Sequence, residues 1–351
     1  MKRPSPLNSD RFAMAFVLAV ALLLGLSACN RKGRHVLEVN YVSAAQATLR
    51  DRVATVYNHV GTVKNGERVE VLEREKRFSR VRTASGIEGW IEQRYLVDQQ
   101  TYDVLQKLTQ ENLSDPVQSP AVLRNETNLH ITPSREAEHL YQLSAGARVS
   151  ILKRATAEKQ AGAVPESAKT VRASGGRAPS GPALEDWWLV RDSENRVGWV
   201  LARMVDLDVP LDIAQYAEGQ RIIAFFALNQ VQDTGKDGTG KSVAQYLCAV
   251  TEPHDGLPYD YDQVRVFTWN VKKHRYETAY REHGLNGVLP VTVSTENFEK
   301  EGVLPIFILR VKDDSGNVSE RKYKLNTPIV RRVLAPGETK QSQPVTKHRR
   351  H

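Results

Sequence analysis

The sequence of 351 residues contains only two cysteines, Cys29 and Cys248. So few thiols exclude the disulfide framework on which many small exported domains depend. Cys248 lies within an apolar run, residues 246–250, where a buried and chemically inert thiol is expected. We therefore predict a fold without disulfide bonds.

Long uncharged apolar runs are also scarce, and the clearest one covers residues 12–25. It is too short for a permanent transmembrane helix, which needs about 20 apolar residues. Lys2, Arg3 and Arg11 precede it, and a basic stretch followed by a short apolar run is typical of a secretory signal peptide. We therefore predict that the chain is exported.

Leu26, Ser27 and Ala28 follow the apolar run and lead directly into Cys29. An aliphatic residue, two small residues and a cysteine resemble the lipobox of bacterial lipoproteins. This resemblance implies cleavage before Cys29 and lipid on its sulfur, as diacylglycerol and palmitate, which anchors the chain to a cell membrane on its extracytoplasmic, periplasmic side. Asn30 replaces the aspartate that retains such proteins at the inner membrane, and this favours the outer membrane. An uncleaved signal anchor is the alternative.

The net charge is +8, and residues of both signs are mixed along the chain rather than gathered in one block. A net positive charge on an exported protein favours acidic partners in the cell envelope, such as the carboxylates of peptidoglycan or anionic lipid headgroups. We expect no nucleic-acid partner, because export places the chain in the wrong compartment.

A pattern of alternating apolar and polar residues occurs twice between residues 36 and 208, with glycines at the turns. Period-two alternation is typical of strands that bury one face. Strands this short bury that face best in a small closed barrel. The first copy of the pattern covers 65–72, 78–82 and 86–91, and the second covers 145–152, 188–191 and 196–200.

Each copy ends in a Gly-Trp pair followed by isoleucine or valine. With the preceding strands, this element resembles the bacterial SH3 (SH3b) domain, although Phe78 stands where the family usually has tryptophan. The resemblance implies envelope binding to peptidoglycan peptide or a protein partner, without catalysis. Aromatic-lined grooves bind extended peptides, and the predicted ligand-binding residues are Trp90, Tyr95, Trp187, Trp188 and Trp199. The alternative is that these rings only pack inside the barrels.

We predict a mainly β fold: two small SH3-like β-barrels joined by a short helix, then an antiparallel β-sandwich or half-barrel domain. The strands predicted for that last domain are 221–228, 244–251, 263–269, 276–282, 287–293, 305–312 and 318–325. The predicted parts are a signal peptide (1–28), a tether (29–35), the first SH3b-like domain (36–98), a helical linker (99–117), the second SH3b-like domain (118–208) with a disordered insertion (156–185), the C-terminal β domain (209–334) and a disordered basic tail (335–351).

Residues 235–242 fit the phosphate-binding pattern G-x-x-x-x-G-K-[ST], which ends here in Lys241 and Ser242. A true phosphate loop leaves a buried parallel strand and enters a helix, whereas the residues after Ser242 have a strand pattern. We therefore expect a hairpin loop, and no bound nucleotide or other cofactor.

No group of residues has the spacing of a catalytic or metal site. His254, His274 and His283 lack metalloprotease spacing, Cys248 lacks the polar setting of a nucleophile, and the acidic loop 255–262 lacks the EF-hand pattern. We therefore predict a protein without catalytic residues or a bound metal. The alternative is a cell-wall hydrolase or a nucleotide-binding enzyme that uses the C-terminal domain.

Overall fold

The structure is a computed structural model that describes residues 35–159, 182–235 and 240–334. The predicted signal peptide, the predicted lipidation residue Cys29 and the predicted basic tail lie outside these ranges. In the part of the chain that is described, three antiparallel sheets contain most of the residues, which confirms the predicted mainly β fold. No helix within these ranges is long and apolar enough to cross a membrane.

The strands follow one another along the chain in three groups, one for each sheet. The N-terminal sheet contains β1 (Glu38–Val42), β2 (Gln46–Arg50), β3 (His59–Lys64), β4 (Arg68–Glu75), β5 (Phe78–Thr83), β6 (Glu88–Glu92) and β7 (Leu96–Asp98). The middle sheet contains β8 (Ser119–Leu123), β9 (Thr127–His130), β10 (His139–Leu143), β11 (Arg148–Glu158), β12 (Leu184–Asp192), β13 (Val197–Leu201) and β14 (Val205–Leu207). The C-terminal sheet contains β15 (Arg221–Asp233), β16 (Lys241–Thr251), β17 (Tyr261–Asn270), β18 (Arg275–Asn297), β19 (Val303–Lys312), β20 (Val318–Asn326) and β21 (Ile329–Val333).

Helices are few and short. The α-helices are α1 (Gln99–Asn112) and α2 (Leu211–Ala214), and the 3₁₀ turns are Gln93–Tyr95, Ala202–Met204 and Gln215–Ala217. The described residues divide into two compact units: the first contains 35–40, 48–63 and 68–94, and the second contains 41–47, 64–67 and the described residues from 95 onward.

The N-terminal and middle sheets have the same strand order. The order β3-β2-β6-β5-β4 in the first corresponds, strand for strand, to β10-β9-β13-β12-β11 in the second. The glycine of each Gly-Trp pair explains part of this likeness. A Cβ on Gly89 would lie 2.7 Å from Leu49 Cβ, and a Cβ on Gly198 would lie 2.6 Å from Leu129 Cβ. Only glycine therefore lets β6 and β13 approach β2 and β9 so closely.

The C-terminal sheet is a meander in which every strand pairs with the next one along the chain. Strand β18 (Arg275–Asn297) runs through both segments that the sequence predicted as separate strands, 276–282 and 287–293, so this prediction was wrong. Polar residues interrupt the apolar pattern there. The strand nevertheless continues because its backbone pairs first with β17 and then with β19.

The middle and C-terminal sheets share one apolar core. A single buried cluster includes Val149 and Trp188 from the middle sheet, and Ile223, Leu247 and Phe307 from the C-terminal sheet. Burial of large apolar side chains is the main stabilising term in such a core, about 1.5–3 kcal/mol for each fully buried one. These two sheets are therefore held together by the same interaction that folds each of them.

The insertion predicted at 156–185 is too wide at both ends. Strand β11 continues to Glu158 and β12 begins at Leu184, with Thr156 opposite Asp186 in the pairing register. Local composition gave no sign of this pairing, because it depends on contacts that Asp186 makes with distant arginines. Residues 160–181 lie outside the described ranges.

Helix α1 begins at a capping aspartate and packs on the middle sheet. The Asp98 carboxylate accepts a hydrogen bond from the Thr101 amide at 2.8 Å. Leu108 joins the apolar cluster of Leu152 and Leu189, and the Thr109 hydroxyl accepts a hydrogen bond from the Val197 amide at 3.2 Å. The predicted helix that packs on a barrel is thus present.

We expect that Asp98→Ala lowers the free energy of unfolding by about 1 kcal/mol, because it leaves a helix amide without its acceptor. The bond from Thr101 lowers the pKa of Asp98, so its contribution is present above a pH of about 4 and is lost as the pH falls below that value. Urea titrations across this range measure both effects. Glu111→Ala at the exposed end of the same helix is the control, and an equal loss there would contradict a capping role.

Candidate functional site

A groove of about 600 Å³ opens on the N-terminal sheet, within the first compact unit. We call it the cationic groove. Its walls are the loop after β2 and the tight turn between β4 and β5, and Phe78 lies at its base. The groove is lined by Arg50, Val53, Ala54, Thr55, Lys76, Arg77 and Phe78.

Arg50 is held in place from three sides. Its guanidinium carbon lies 4.2 Å from the centroid of the Tyr57 ring and 5.1 Å from that of Phe78. Its Nη2 lies 3.3 Å from an oxygen of Glu92 on β6. Stacking on aromatic faces and one ion pair fix the guanidinium before a ligand arrives, so little conformational freedom remains to be lost on binding.

Lys76 and Arg77 form the turn between β4 and β5, and both side chains are exposed. The guanidinium of Arg77 lies 5.4 Å from the centroid of Phe78. Neither cation has a carboxylate partner among the described residues, and no acidic residue lines the groove. Three cations around an apolar base therefore suit an anionic ligand that also has an apolar part.

The loop that forms one wall is closed by Asp51. This carboxylate accepts hydrogen bonds from the Asn58 amide at 2.8 Å and from Arg52 at 2.7 Å. The bond from Arg52, followed by the bond from Asn58, holds the pKa of Asp51 at about 2. Val56 lies at the tip of the loop with 83% of its surface exposed, which places an apolar side chain on the same loop as the groove wall.

Three of the five aromatic residues predicted to bind ligand are buried. Trp90, Trp187 and Trp188 are exposed by only 7%, 1% and 3%. Rings buried to this degree are packing residues of the sheets, which is the alternative that the sequence left open. Trp188 alone among them reaches a cavity, described below.

The other two predicted aromatic residues are half-buried and also lie outside the groove. Trp199 packs against Leu152 and Leu189, and Tyr95 lies in a 3₁₀ turn. The groove instead contains Phe78 with Arg50 and a Lys-Arg turn, none of which the sequence had singled out as ligand-binding. One signal in the sequence could have identified the groove. Phe78 stands where the family usually has tryptophan, and it directly follows the two cations Lys76 and Arg77.

A second cavity, of about 550 Å³, lies in the second compact unit beside Trp188 and Arg203. Two of its arginines are already paired, Arg124 with Asp206 and Arg221 with Asp255 at 2.8 Å. Its charge is therefore largely compensated, whereas in the cationic groove only Arg50 has a carboxylate partner, Glu92, and Lys76 and Arg77 have none among the described residues. We take the groove as the better candidate for this reason.

Two acids of the acidic loop, Asp255 and Asp260, are engaged by arginines. Asp255 pairs with Arg221, and Asp260 accepts hydrogen bonds from the Leu289 amide at 2.7 Å and from Arg154 at 3.3 Å. No group of three or more histidine, cysteine, aspartate or glutamate side chains within the described ranges is arranged to hold a metal ion.

Only the ends of the predicted phosphate-binding pattern lie in the described ranges, because residues 236–239 fall outside them. Lys241 and Ser242 begin strand β16, and a strand follows the pattern where a phosphate loop requires a helix. The ammonium of Lys241 lies 5.1 Å from the centroid of Trp269. Lys241 therefore occupies a hairpin setting rather than a helix start.

The start of that hairpin is fixed by Asp233. Its carboxylate accepts hydrogen bonds from His274 and Trp269, each at 2.8 Å, and from the Gly235 amide at 3.0 Å. The bond from His274, followed by that from Gly235, holds the pKa of Asp233 at about 2. His274 is thus a structural partner of the Asp233 carboxylate. Of the other two histidines considered from the sequence, His254 contacts Glu252 and His283 is exposed.

Cys248 is exposed by 1%, and burial raises the pKa of its thiol to about 12. We expect the thiol to react with a disulfide reagent at about pH 8 more than roughly a hundredfold more slowly than an exposed cysteine, because almost no thiolate is present. A Cys29→Ser variant isolates this thiol, and full reaction in denaturant is the control. Rapid labelling of the folded protein would contradict burial.

No curated protein matches the sequence. One solved structure with some likeness is an NlpC/P60 family protein from Bacillus cereus, at 12% identity and a TM-score of 0.23, with 83% of this chain and 95% of that chain covered. Two others are from Trichomonas vaginalis. NlpC1 has 8% identity and a TM-score of 0.16, with 71% of this chain and 89% of that chain covered, and NlpC2 has 11% identity and a TM-score of 0.17, with 82% and 97% covered. TM-scores this low carry no argument about fold or activity.

The comparison with protein families gives a more specific result, and it falls on the candidate site. Residues 46–97 match the family described as the bacterial SH3 domain. This range contains every residue that lines the cationic groove. The groove therefore lies within the segment that is similar to bacterial SH3 domains.

Proposed function

We propose that this chain is a non-catalytic, membrane-anchored envelope lipoprotein, and that the cationic groove binds an anionic, extended ligand of the cell wall. A peptide with free carboxylates, as in peptidoglycan, has the required chemistry. The observation that carries this proposal is a groove with three cations, an aromatic base and no acid, located in the segment that matches a bacterial SH3 domain.

The physics of the groove favours carboxylates over neutral ligands. A guanidinium already fixed by Tyr57 and Phe78 forms charge-assisted hydrogen bonds to a carboxylate at little entropic cost. Lys76 and Arg77 are exposed and add long-range attraction, which salt screens over about 8–10 Å. Binding through this groove is therefore expected to weaken as ionic strength rises.

Sedimentation of the full chain with purified peptidoglycan sacculi tests this proposal. We expect the double variant Arg50→Ala, Arg77→Ala to lower the affinity by about tenfold or more, since each charge-assisted contact contributes roughly 1.5–3 kcal/mol. Arg68→Ala, which removes an exposed arginine of the same unit from outside the groove lining, is the matched control.

Converting the sacculus carboxylates to amides supplies the complementary test. We expect this treatment to lower the affinity of the unaltered chain to that of the double variant, whose own affinity should change much less. Retention of tight binding after amidation, or equal affinity of the double variant and the unaltered chain, would reject the groove as the ligand site.

The lipid anchor is a separate part of the proposal and rests on the segment that ends at Cys29. Intact-mass analysis of the membrane fraction is expected to find a chain that begins at Cys29 and carries acyl groups. Cys29→Ser is expected to release the protein from the membrane or to leave it uncleaved. An unmodified Cys29 in the mature chain would remove this part while leaving the groove proposal intact.

A further inference from the structure

The matching strand orders of the first two sheets allow the groove to be compared with its counterpart in the middle sheet. Arg50 pairs with Trp90 across the N-terminal sheet, and His130 pairs with Trp199 in the same position of the middle sheet. Phe78 begins β5 opposite Glu92, and Trp187 on β12 lies opposite Leu201. Glu92 lies two residues after Trp90, and Leu201 lies two residues after Trp199. The two pairings therefore occupy equivalent places in the two sheets, so His130 corresponds to Arg50, and Trp187 corresponds to Phe78.

The charges at these positions are inverted between the two sheets. The two residues before Phe78 are Lys76 and Arg77, whereas the two residues before Trp187 are Glu185 and Asp186. At the position of Arg50 the middle sheet has an imidazole, that of His130, instead of a guanidinium. The middle sheet thus presents carboxylates where the N-terminal sheet presents cations.

One of these carboxylates, Glu185, lies two residues before Trp187 on β12 and therefore on the same face of the strand. Glu185 is almost fully buried and accepts hydrogen bonds from Arg135 at 3.0, 3.1 and 2.6 Å, so the pair is bidentate. His130 lies edge-on to Trp187, with ring centroids 5.5 Å apart. Trp187 is exposed by only 1%, and its indole nitrogen has no hydrogen-bond partner.

The other carboxylate is bound by the C-terminal sheet. Asp186 accepts hydrogen bonds from Arg154 of the middle sheet at 2.7 Å, from Arg221 at the start of β15 at 2.7 Å, and from the Gly256 amide at 3.1 Å. Arg154 also donates to the carbonyl of Tyr259 at 2.8 Å. Asp186 is adjacent to Trp187 along β12 and so lies on the opposite face, which the C-terminal sheet therefore covers.

We propose that in the middle sheet the Arg135–Glu185 pair closes over Trp187, while the C-terminal sheet covers the opposite face of β12 at Asp186, and that the counterpart of the cationic groove therefore takes no anionic ligand. Recognition then belongs to the N-terminal copy alone. The part of this proposal that concerns an anionic ligand rests on the function proposed above. The part that concerns the covering of Trp187 does not.

The closure is tested without any ligand. The chain has five tryptophans, and labelling with 5-fluorotryptophan gives each one a separate ¹⁹F resonance that substitution assigns. In Glu185→Gln, and equally in Arg135→Gln, we expect the Trp187 resonance to shift and its broadening by a neutral soluble spin probe to rise about threefold or more, since loss of the ion pair uncovers the ring.

Glu194→Gln, which removes a more exposed acid from the same sheet, is the matched control and is expected to leave Trp187 shielded. The Trp269 resonance reports whether the C-terminal sheet remains folded. If Trp187 stays shielded in both Glu185→Gln and Arg135→Gln while their fold is intact, the pair does not close this surface and the proposal fails.

The ligand half is tested with sacculi. We expect His130→Ala to change sacculus affinity by less than about twofold, while the Arg50 and Arg77 double variant loses about tenfold. A loss in His130→Ala as large as that in the double variant would overturn the restriction to one copy. If the double variant itself loses nothing, the proposed function fails, and the ¹⁹F result still decides the closure.

Discussion

Replacing Asp186 with asparagine is expected to lower the free energy of unfolding by about 3–5 kcal/mol, the range for removing one partner of a buried ion pair. The side chains of Asp186 and Arg154 are exposed by only 1% and 3%. Asparagine cannot compensate two guanidiniums, so Arg154 and Arg221 would remain buried or half-buried with too little negative charge. Urea denaturation of the full chain measures this loss.

Asp255→Asn is the matched control, because Asp255 binds the other nitrogen of the same Arg221 but is 42% exposed. Exposed pairs contribute only about 0–1 kcal/mol. Equal losses in the two variants would show that the burial of Asp186 does not matter. A loss under about 1 kcal/mol for Asp186→Asn would contradict the role of Asp186 as the shared acceptor of both arginines.

The pH dependence of Asp186 follows from the direction of its pKa shift. Burial alone would raise the pKa of this carboxyl, but the bonds from Arg154 and the Gly256 amide, with the charges of both arginines, lower it. The contribution of Asp186 is therefore present above a pH of about 4 and is lost as the pH falls below that value. The stability difference between the unaltered chain and Asp186→Asn should shrink over that interval.

The pKa of Asp260 is shifted in the direction opposite to that of Asp186. Its burial raises its pKa despite the bond from the Leu289 amide and the charge of Arg154, so its ionisation opposes folding at neutral pH. As the pH falls through the raised pKa of Asp260, its carboxylate becomes protonated and this destabilising contribution disappears. Because Asp260 is present in both proteins that are compared, its effect largely cancels in the difference.

Replacing Gly287 with alanine is expected to destabilise the C-terminal sheet by about 3 kcal/mol, at the upper end of the range for overpacking. A Cβ on Gly287 would lie 2.1 Å from Cε2 of Tyr261, closer than any real contact. Tyr261 pairs with Gly287 in the strand register and is fully buried, and its hydroxyl donates to the Arg310 carbonyl at 3.1 Å. The ring therefore has no free space into which it can move.

Gly240→Ala is the control for this substitution, because the nearest atom to the added methyl group is the Asp233 carbonyl oxygen at 3.8 Å. We expect less than about 0.5 kcal/mol of destabilisation there, as for most exposed sites. A double-mutant cycle with Tyr261→Leu should recover part of the loss at Gly287. Additive losses would show that the clash with Tyr261 is not the cause.

The sequence predicted the strands well wherever one face of a strand is buried. Period-two alternation and the Gly-Trp pairs identified the repeated strands, and Gly89 and Gly198 have a steric reason in the close approach of Leu49 and Leu129. It failed at β18, where the polar residues 281–283 and Gly284 interrupt the apolar pattern although the strand continues through them.

The candidate site was predicted only in its general location. The sequence placed ligand binding in the SH3b-like segments, but it chose the tryptophans, of which Trp90, Trp187 and Trp188 are buried. A pattern of residue types does not show whether a large ring faces the core or a groove. Exposed cations next to a half-covered aromatic residue, as at Arg77 and Phe78, carry that information only once the turn between the strands is known.

The sequence by itself determined that the chain is mainly β, that one strand pattern occurs twice, and that the copies carry opposite charges before their aromatic residues. Tertiary structure alone decided which cations neutralise the acids before Trp187, because Arg135 lies 50 residues from Glu185, and Arg154 and Arg221 lie 32 and 35 residues from Asp186. Charges so far apart along a chain neutralise one another only after folding has brought them within hydrogen-bond distance and removed the water between them.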